Sequence, residues 1–425
     1  MAKLRDTDVL VVGGGPVGLL TALVLASRDI SVAVVDEGDR TAVHGYAVSL
    51  HPAALELLER VGITGDLIEH GHRIDSVSFW VDGRRAARLD LGRAGVDHAH
   101  AVALPQSVLE GHLRKRLKSL GVSVLWNHRL SRLTTDGGLE ATVDRLDRVS
   151  VGYPVAGTSQ VVLSSSTVNP RFVVGADGFN SMVRRSLGGE MKSLAPARLY
   201  AVFEFFADIE APAEMRVVLG ESGAGGLWPL PGGRARWGFD LGDPERFRPR
   251  VNERRLVRTV GQATFPHLAT ERLSELIRER AAWFRAEIGE VVWSVAVRFE
   301  RRLSRTLGTD RVCLVGDAAH LTLPLGSHSM NLGIAEGSRI GEAIAAVVDG
   351  GADPAALLGA WRRDAASEVR ALLRPREAFA VHSRAASWVD RYLPDVVSAV
   401  SATGEPLGRI LEPLGIERLR EPVEG

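Results

Sequence analysis

A glycine-rich turn near the start of the chain has the residue types and the spacing that bind the pyrophosphate of a dinucleotide. It follows the apolar run 9–12 and precedes a second apolar run, 19–27. Its glycines have the spacing G-x-G-x-x-G and are Gly13, Gly15 and Gly18. In such a motif the first glycine permits a tight turn, the second lets the backbone approach a pyrophosphate, and the third lets helix and strand pack closely. Asp36 ends the next apolar run, where a carboxylate accepts hydrogen bonds from an adenosine ribose.

The same segment has the apolar character of a membrane span or a secretory signal, because residues 9–26 carry no charge and Lys3 and Arg5 precede them. Two observations favour a buried domain core instead. Asp6 and Asp8 interrupt the basic start, and the Gly-Gly-Gly-Pro sequence divides the apolar stretch into lengths typical of a strand and a helix. We therefore predict no membrane segment.

The composition indicates a globular protein of two domains with no nucleic-acid partner. The chain has 425 residues, of which 45% are hydrophobic, and its 52 Lys and Arg balance its 52 Asp and Glu. A chain of that length exceeds one ordinary core, and a balanced charge favours neither nucleic acid nor an anionic membrane surface. The single cysteine, Cys313, lies in an apolar run and cannot form an internal disulfide, which predicts a cytoplasmic location.

Two histidine pairs are the nearest approach to a metal motif. Neither His70 and His72 nor His98 and His100 have cysteine or carboxylate ligands at recurrent spacing nearby. We predict no metal site.

Hydrophobic periodicity predicts an α/β part that is interrupted by a sheet-rich insert. The predicted elements are a strand, helix and strand over 8–36, a helix at 52–61, strands around a turn at 82–83, a helix at 106–120, a strand at 122–126, hairpins within 134–169, an antiparallel sheet over 198–242, Arg-rich helices within 251–286, a strand at 291–298 and mostly helix from Gly333 onward.

Two later motifs accompany the glycine fingerprint in a fixed order. The first runs from Phe172 to Arg184 and contains Asp177 and Gly178. The second is Arg-Val-Cys-Leu-Val-Gly-Asp-Ala-Ala-His, ending at His320, and it is followed by Pro324, Gly326, Met330, Asn331 and Gly333. With these three motifs, the chain resembles the flavin-dependent aromatic hydroxylases over roughly residues 8–350. These are the single-component class A flavoprotein monooxygenases of the para-hydroxybenzoate hydroxylase type.

The resemblance implies an FAD-dependent monooxygenase that uses NADPH or NADH and O2. Such an enzyme inserts one oxygen atom into an aromatic, polyketide-like or otherwise electron-rich small molecule through a flavin C4a-hydroperoxide, so no side chain must perform the transfer. The implied fold is α/β, a Rossmann-like FAD-binding domain with an interleaved antiparallel-sheet substrate domain and a helical C-terminal segment. The expected boundaries are 1–72, 101–185 and 295–350 for the FAD-binding domain, 73–100 and 186–294 for the substrate domain, and 351–425 for the C-terminal segment.

The resemblance also assigns residues to the cofactor. Asp317 matches an aspartate that bonds the ribityl chain of FAD, and the loop from Pro324 to Asn331 matches one whose amides face the flavin pyrimidine edge. Gly333 would begin a helix whose dipole favours negative charge on reduced flavin. Asp177 and Gly178 match a pair implicated in NAD(P)H use. The predicted cofactor-binding residues are Gly13, Gly15, Pro16, Val17, Gly18, Asp36, Glu37, Gln106, Asp177, Gly178, Asp317, Pro324, Gly326, Ser329, Met330 and Asn331.

The chain departs from the family pattern at three places. Gly-Ser-His-Ser at 326–329 stands where the family usually has Gly-Gly-Gln-Gly, so two glycines are lost where backbone passes close to a planar ring. Tyr46 replaces an arginine before Ala47, and Glu336–Gly337 replaces Asp-Ala.

Within the altered loop, His328 has two interpretations. It tunes, protonates or covalently tethers the flavin, or it replaces glutamine as an outward-facing polar residue. We favour the second, and no other side chain is predicted to be catalytic.

A substrate pocket is predicted from aromatic residues in the sheet-rich insert. Phe203, Phe205, Phe206, Trp228, Trp237 and Phe239 either line a pocket over the flavin or pack the sheet. The Trp228 segment resembles the family strand that forms the floor of the substrate cavity, so we predict Trp228, Phe239 and Pro324 as pocket residues. An apolar pocket excludes water from the reacting oxygen.

Other functions stay open at this point. The same fold supports Baeyer–Villiger insertion, epoxidation or a flavin-dependent reduction, and the altered loop is compatible with a catalytically silent FAD-binding partner. A halogenase is disfavoured because the pattern Trp-x-Trp-x-x-Pro is absent. We expect a monomer or homodimer with a role in specialised metabolism.

Overall fold

A computed structural model describes residue 4 and residues 7–39, 49–151, 157–209, 213–246, 257–260, 263–266 and 268–419. The position of Tyr46 lies outside these residues. The α-helices are α1 Pro16–Ala26, α2 Pro52–Arg60, α3 Thr64–His70, α4 Gln106–Ser119, α5 Met182–Ser186, α6 Thr270–Arg280, α7 His328–Val348, α8 Pro354–Leu373, α9 Pro375–Ala378, α10 Ser387–Arg391, α11 Leu393–Ala399 and α12 Gly404–Leu411.

The strands, in chain order, are β1 Val9–Val12, β2 Val32–Asp36, β3 Ser49–Leu50, β4 His72–Ile74, β5 Ser76–Val81, β6 Arg84–Asp90, β7 Ala101–Ala103, β8 Val124–Trp126, β9 His128–Thr134, β10 Glu140–Val151, β11 Gly157–Val168, β12 Phe172–Gly175, β13 Met191–Ser193, β14 Arg198–Phe206, β15 Glu214–Leu219, β16 Gly225–Leu230, β17 Arg234–Gly242, β18 Val257–Val260, β19 Ala263–Pro266, β20 Val291–Phe299, β21 Arg302–Ser304, β22 Val312–Leu314, β23 His320–Leu321, β24 Phe379–Val381 and β25 Ile416–Arg418.

A five-stranded parallel sheet carries the motifs predicted from the sequence. Its order is β22-β12-β1-β2-β8, and each neighbouring pair is parallel. Every residue of β1, β12 and β22 is buried. Such continuous burial is typical of parallel strands that are covered on both faces. The α/β class with a parallel sheet is therefore confirmed.

Two glycines of the fingerprint are required by the geometry of this sheet. Gly13 has a φ of +113°, and a Cβ there would lie 2.2 Å from the carbonyl oxygen of Ala176. A Cβ on Gly18 would lie 2.0 Å from the carbonyl oxygen of Gly13. The first glycine therefore makes the turn, and the second lets α1 lie directly against the end of β1.

A seven-stranded sheet, with the order β20-β14-β17-β16-β15-β5-β6, is inserted into the α/β part. Because successive side chains point to opposite faces of a strand, β14 contributes to two cores, whereas the buried apolar residues of β17 belong to one. Tyr200 and Val202 belong to the main core, which they share with β1 and α7. Trp237 and Phe239, stacked at 4.7 Å, belong to a second core that includes α6.

Two local predictions need correction. Only α6 is helical within 251–286, where the described residues also include the hairpin β18–β19. This region's arginines gave a helical composition, but the valine- and threonine-containing segments pair as strands. Helix α7 begins at His328, five residues before Gly333, because Ser327 adopts the left-handed backbone that precedes it (φ 55°).

The C-terminal segment packs back onto the molecule. Val389, Leu393 and Val396 are buried in the main core, and the Trp388 ring lies 5.9 Å from that of Phe79 on β5. A strand pair, β24 with β25, adds to the predicted helices. Among the described residues, no helix has both the length and the apolar character needed to cross a membrane.

The only cysteine of the chain lies in the parallel sheet. Cys313 is fully buried on β22, and burial raises the pKa of its thiol to about 12. The thiol therefore stays protonated.

Substitution of Gly18 by alanine is expected to destabilise the fold, because the added methyl group overlaps the Gly13 carbonyl. Overpacking of this kind costs about 1–3 kcal/mol. Gly15→Ala is the matched control, since a Cβ at Gly15 meets no atom within 4 Å, and its free energy of unfolding should change by less than about 0.5 kcal/mol. Urea unfolding of both variants checks this, and equal stability would contradict the packing argument.

Candidate active site

A cavity of about 650 Å³ lies where the glycine turn, the two later motifs and the seven-stranded sheet meet. Nine of the predicted cofactor residues line it: Gly15, Pro16, Val17, Gln106, Gly178, Asp317, Pro324, Ser329 and Met330. Residues far apart in sequence are thus brought to one recess. Its wall toward the sheet is formed in part by Val297, Phe299 and Leu323.

Two helix N-termini meet at this cavity because α1 and α7 cross at close range. A Cβ on Gly333 would lie 2.5 Å from Cγ2 of Val17, and one on Gly337 would lie 2.6 Å from Oγ1 of Thr21. Gly333 therefore does not begin the helix as predicted but lets the two helices touch. Both helices direct their free N–H groups and partial positive charge toward the recess.

Asp36 is fixed at the end of β2 by two backbone amides. The N–H of Gly14 donates to Oδ2 at 2.6 Å, and that of Gly38 donates to Oδ1 at 2.7 Å. Each oxygen keeps a second lone pair for another donor. Asp36 does not line the described cavity, nor does the exposed Glu37, so their contact with a ribose stays a prediction.

Gln106 lines the cavity and is held by Glu110 one helical turn away. Its amide Nε2 donates to Oε1 of Glu110 at 2.7 Å. Glu110 is buried, and burial raises the pKa of its carboxyl to about 7. The sequence analysis missed Glu110, although a carboxylate between Leu109 and Leu113 on the apolar face of α4 is a signal that was available.

Asp177 caps helix α5 while its neighbour borders the cavity. Oδ2 of Asp177 accepts the N–H groups of Met182 at 2.6 Å and Val183 at 3.1 Å. Burial raises the pKa of this carboxyl, and Oδ1 is buried without a hydrogen-bond partner among the described residues. Gly178 has a φ of +72° and open space where a Cβ would lie. Asp177 thus holds the start of helix α5, and Gly178 forms part of the cavity wall.

Asp317 lies in a short turn after β22 and exposes its side chain to the cavity. The Ser329 hydroxyl donates to its Oδ1 at 2.5 Å. The protein-lined recess desolvates the carboxyl and raises its pKa, which the Ser329 hydrogen bond opposes. Ser329 is one of the residues that depart from the family pattern. It therefore contacts Asp317, the residue predicted to bond the ribityl chain of FAD.

Glu336, which also departs from the family pattern, holds the turn that contains Asp317. Its Oε2 accepts the Gly316 N–H at 2.9 Å, and its carboxylate lies 2.9 Å from Nε2 of His320. Both side chains are almost fully buried. Burial lowers the pKa of His320, but the charge and hydrogen bond of Glu336 outweigh it, so the pKa is raised. The sequence analysis recorded the substitution without this role.

Asn331 links the cavity loop to the rest of the fold. Its Oδ1 accepts the backbone N–H of His51 at 2.8 Å, and its Nδ2 donates to the carbonyls of Ser49 and Ser327, each at 2.8 Å. Asn331 is buried and does not line the cavity. Gly326 is also outside the lining, since a Cβ there would lie 2.5 Å from the Ser398 carbonyl. The structure gives both residues a part in holding the loop.

His328 is buried and not outward-facing, so the preferred prediction for it is wrong. Its ring makes an edge contact with that of His51 at 5.2 Å, and Nε2 of His51 lies 2.6 Å from the carbonyl oxygen of Gly326. Burial lowers the pKa of His328 to about 4. His328 does not line the cavity, because the C-terminal segment around Ser398 covers it, and this arrangement gives no support to a covalent tether.

A small second pocket of about 30 Å³ adjoins the cavity and shares Phe299 and Pro324 with it. The predicted pocket residue Trp228 lines it. Phe239 does not, because it lies on the opposite face of the sheet in the second core, and its prediction as a pocket residue is wrong. Phe203, Phe205 and Trp237 are on that far face as well, while Phe206 is exposed.

The residues present fit FAD. Gly15 and Gly178 leave open space where a Cβ would otherwise stand, two helix N-termini are placed for a diphosphate, and Asp317 offers a carboxylate to hydroxyl groups. No group of three or more His, Cys, Asp or Glu in the described part of the chain is placed to hold a metal ion.

Comparison with known proteins places the chain in a family. The model of the family described as FAD binding domain matches residues 6–374. This chain belongs to that family, and FAD is the cofactor that the family binds. The class predicted from the three motifs is thereby confirmed.

Several similar proteins are named as monooxygenases. The uncharacterized aromatic compound monooxygenase YhjG of Bacillus subtilis (strain 168) is 26% identical over 371 residues, which are 87% of this chain and 68% of that protein. The 6-methylpretetramide 4-monooxygenase of Streptomyces rimosus is 29% identical over 348 residues, 81% of this chain but 56% of that protein. The crystal structure of p-nitrophenol 4-monooxygenase PnpA from Pseudomonas putida DLL-E4 has a TM-score of 0.67 at 22% identity, covering 87% and 86% of the two chains. This last likeness shows the fold.

Loss of the Asp317 carboxylate is expected to weaken FAD retention without unfolding the chain. A hydrogen bond to a charged group contributes about 1.5–3 kcal/mol, so the Kd of FAD should rise about 10- to 100-fold in Asp317→Ala. The control is Asp310→Ala, an exposed carboxylate that pairs with Arg362. Flavin absorption of dialysed protein, before and after acid precipitation, gives the bound fraction. Full flavin occupancy in Asp317→Ala would remove this site assignment.

Burial of His328 is expected to make folding stability fall in acid. A histidine in the unfolded chain titrates near ~6.5, whereas the folded pKa is about 4. Burial makes protonation of His328 less favourable in the folded state than in the unfolded chain. The contribution of His328 to the free energy of unfolding is therefore fully present above pH ~6.5, and about 3 kcal/mol is lost as the pH falls toward about 4. His328→Gln should flatten the pH dependence of urea unfolding in that window. The exposed His382→Gln serves as control, and parallel curves for His328→Gln and wild type would contradict the argument.

Proposed function

We propose that this protein is an FAD-dependent monooxygenase that uses NADPH or NADH and O2 to place one oxygen atom on an aromatic or similarly electron-rich small molecule. The observation that carries the proposal is the junction of the two cavities. The recess lined by Gly15, Asp317 and Ser329 shares Phe299 and Pro324 with a small pocket in the seven-stranded sheet. A pocket of about 30 Å³ has room for one substituent of a substrate whose ring would lie beside the cofactor in the larger cavity.

The residues of the protein would position the reactants at this junction, give it partial positive charge and exclude water from it. When bound, FAD supplies the redox chemistry, taking a hydride from the nicotinamide and reducing O2 so that one oxygen atom goes to substrate and the other to water. The N-terminus of α7 presents partial positive charge to the recess. The walls near the sheet are apolar at Trp228, Phe299 and Leu325, which keeps water from competing at the reacting atoms.

The names of the relatives support the substrate class. One is an aromatic compound monooxygenase and another acts on 6-methylpretetramide. Since the chain spans 68% and 56% of these two proteins, we carry over only a small aromatic or polyketide-like substrate, with a role in specialised metabolism.

The proposed activity predicts substrate-stimulated oxidation of NADPH or NADH by the FAD-loaded protein. With a panel of phenols and polycyclic aromatics, at least one compound should raise the rate severalfold over the substrate-free rate. Mass spectrometry after reaction under heavy-isotope O2 should find one labelled oxygen atom in the product. Label in the product separates hydroxylation from reduction, and the position of the oxygen separates it from Baeyer–Villiger insertion. If no compound stimulates oxidation of NADPH or NADH, a catalytically silent FAD-binding partner would be the better interpretation.

A further inference from the structure

The edge strand β11 exposes a group of apolar side chains to solvent. Nine large apolar side chains are exposed in the described part of the chain, and three of them, Val161, Val162 and Leu163, are consecutive on this strand. The other six are separated from one another in the sequence. Isolated apolar residues are normal on a protein surface, whereas a contiguous group marks a place where another surface binds.

Strand β11 also lacks most of the features that prevent edge strands from pairing. It extends over 12 residues, Gly157–Val168, and contains neither a charged residue nor a proline. Its neighbour β10 includes Asp144, Arg145 and Asp147, so these charges lie on the inner strand of the sheet and not on its edge. Edge strands are ordinarily protected by charges, proline, short length or a bulge. Only a bulge is present here, and it leaves Leu163 without a partner on β10.

The backbone of β11 is held in place for a further strand. One side of β11 pairs with β10 along the whole strand, and in the part of the chain that the structure describes no strand pairs with the other side. The Ser165 hydroxyl donates to Oδ1 of Asp144 on β10 at 2.7 Å, which helps to fix the two strands together. The outer row of N–H and C=O groups is therefore ready to pair.

The sequence of β11 indicates that the further strand is β11 of a second copy of this chain. The apolar triplet stands between two polar and uncharged stretches, Thr-Ser-Gln at 158–160 and Ser-Ser-Ser at 164–166. In the opposite chain direction the order is the same, polar, apolar and polar, with Val162 at the centre. An antiparallel pair about a two-fold axis near Val162 therefore places triplet against triplet, and no like charges meet between the two strands.

The other edge of this sheet limits such an assembly to two chains. Strand β9 carries Arg129 and Arg132 and packs against α5. Charged side chains discourage pairing at an edge, so β9 does not offer the sheet a second place to grow. Association through β11 then closes with the dimer.

We propose that β11 is a dimerisation surface, on which β11 of a second copy pairs in the antiparallel direction. The three-stranded sheet then continues across the two-fold axis. At about 3.4 Å per residue, the 12 residues form a contact about 40 Å long but narrow. Such a contact is at the small end of specific interfaces, so the Kd of the dimer should be about 1–50 µM. This surface is independent of the proposed function.

The test is sedimentation velocity of the FAD-loaded full chain at about 1–100 µM, where wild type should pass from monomer to dimer. Val162→Lys and Leu163→Lys should each raise the Kd at least about tenfold, because like charges then meet near the axis and apolar burial is lost. Leu120→Lys, at an exposed leucine outside β11, is the matched control and should leave the Kd unchanged. Since all three side chains are exposed, the fold should tolerate each change.

A mixing experiment separates self-pairing from any other use of this strand. Val162→Lys and Val162→Glu should each be monomeric alone, whereas their equimolar mixture should form a dimer, because opposite charges then face each other across the axis. High salt should weaken that dimer. A wild type that is monomeric at about 100 µM, a dimer that persists in both lysine variants, or a mixture that stays monomeric would overturn the proposal. Stimulated oxidation of NADPH or NADH, or its absence, bears only on the proposed function.

Discussion

The close crossing of α1 and α7 is the constraint on which the site depends. Gly333, Gly337 and Gly341 face Val17, Thr21 and Val24 at distances where a Cβ has no room, between 2.5 and 2.8 Å from the nearest side-chain atom. Only glycines at these positions let the two helices touch. Since each helix begins at the cavity, this contact sets the separation of the two N-termini, and with it the length of the anion-binding wall.

The crossing also fixes the depth at which Asp317 lies. Glu336 lies on α7 between Gly333 and Gly337, and its carboxylate accepts a hydrogen bond from the Gly316 N–H. With His320 as its partner, it ties that turn to the helix that the glycines position. The longer glutamate and the smaller Gly337 occur together where the family usually has aspartate and alanine.

The parts of the fold that are local in sequence were predictable, and those that depend on distant contacts were not. Strand β1, the glycine turn and α1 follow from periodicity and from the conformational needs of Gly13 and Gly18, because every determinant lies within about twenty residues. Alternation over residues 198–242 predicted an antiparallel sheet, but nothing in it says which face meets the cavity, so Trp228 on β16 and Phe239 on β17 were assigned to one pocket. The burial of His328 depends on Ser398, which lies in a segment that no local pattern connects to the loop.

The buried thiol of Cys313 has a consequence for the durability of such a protein. The monooxygenase activity proposed above would expose the protein to hydrogen peroxide whenever reduction of O2 is not coupled to substrate, and the cysteine species that peroxide attacks is the thiolate. Cys313 lies four positions before Asp317, yet with a pKa of about 12 and no exposed surface it offers neither charge nor access to an oxidant. The thioether of Met330, on a residue that lines the cavity, is the sulfur atom nearer to the source, so oxidative damage from within would begin at a methionine, where it is chemically reversible.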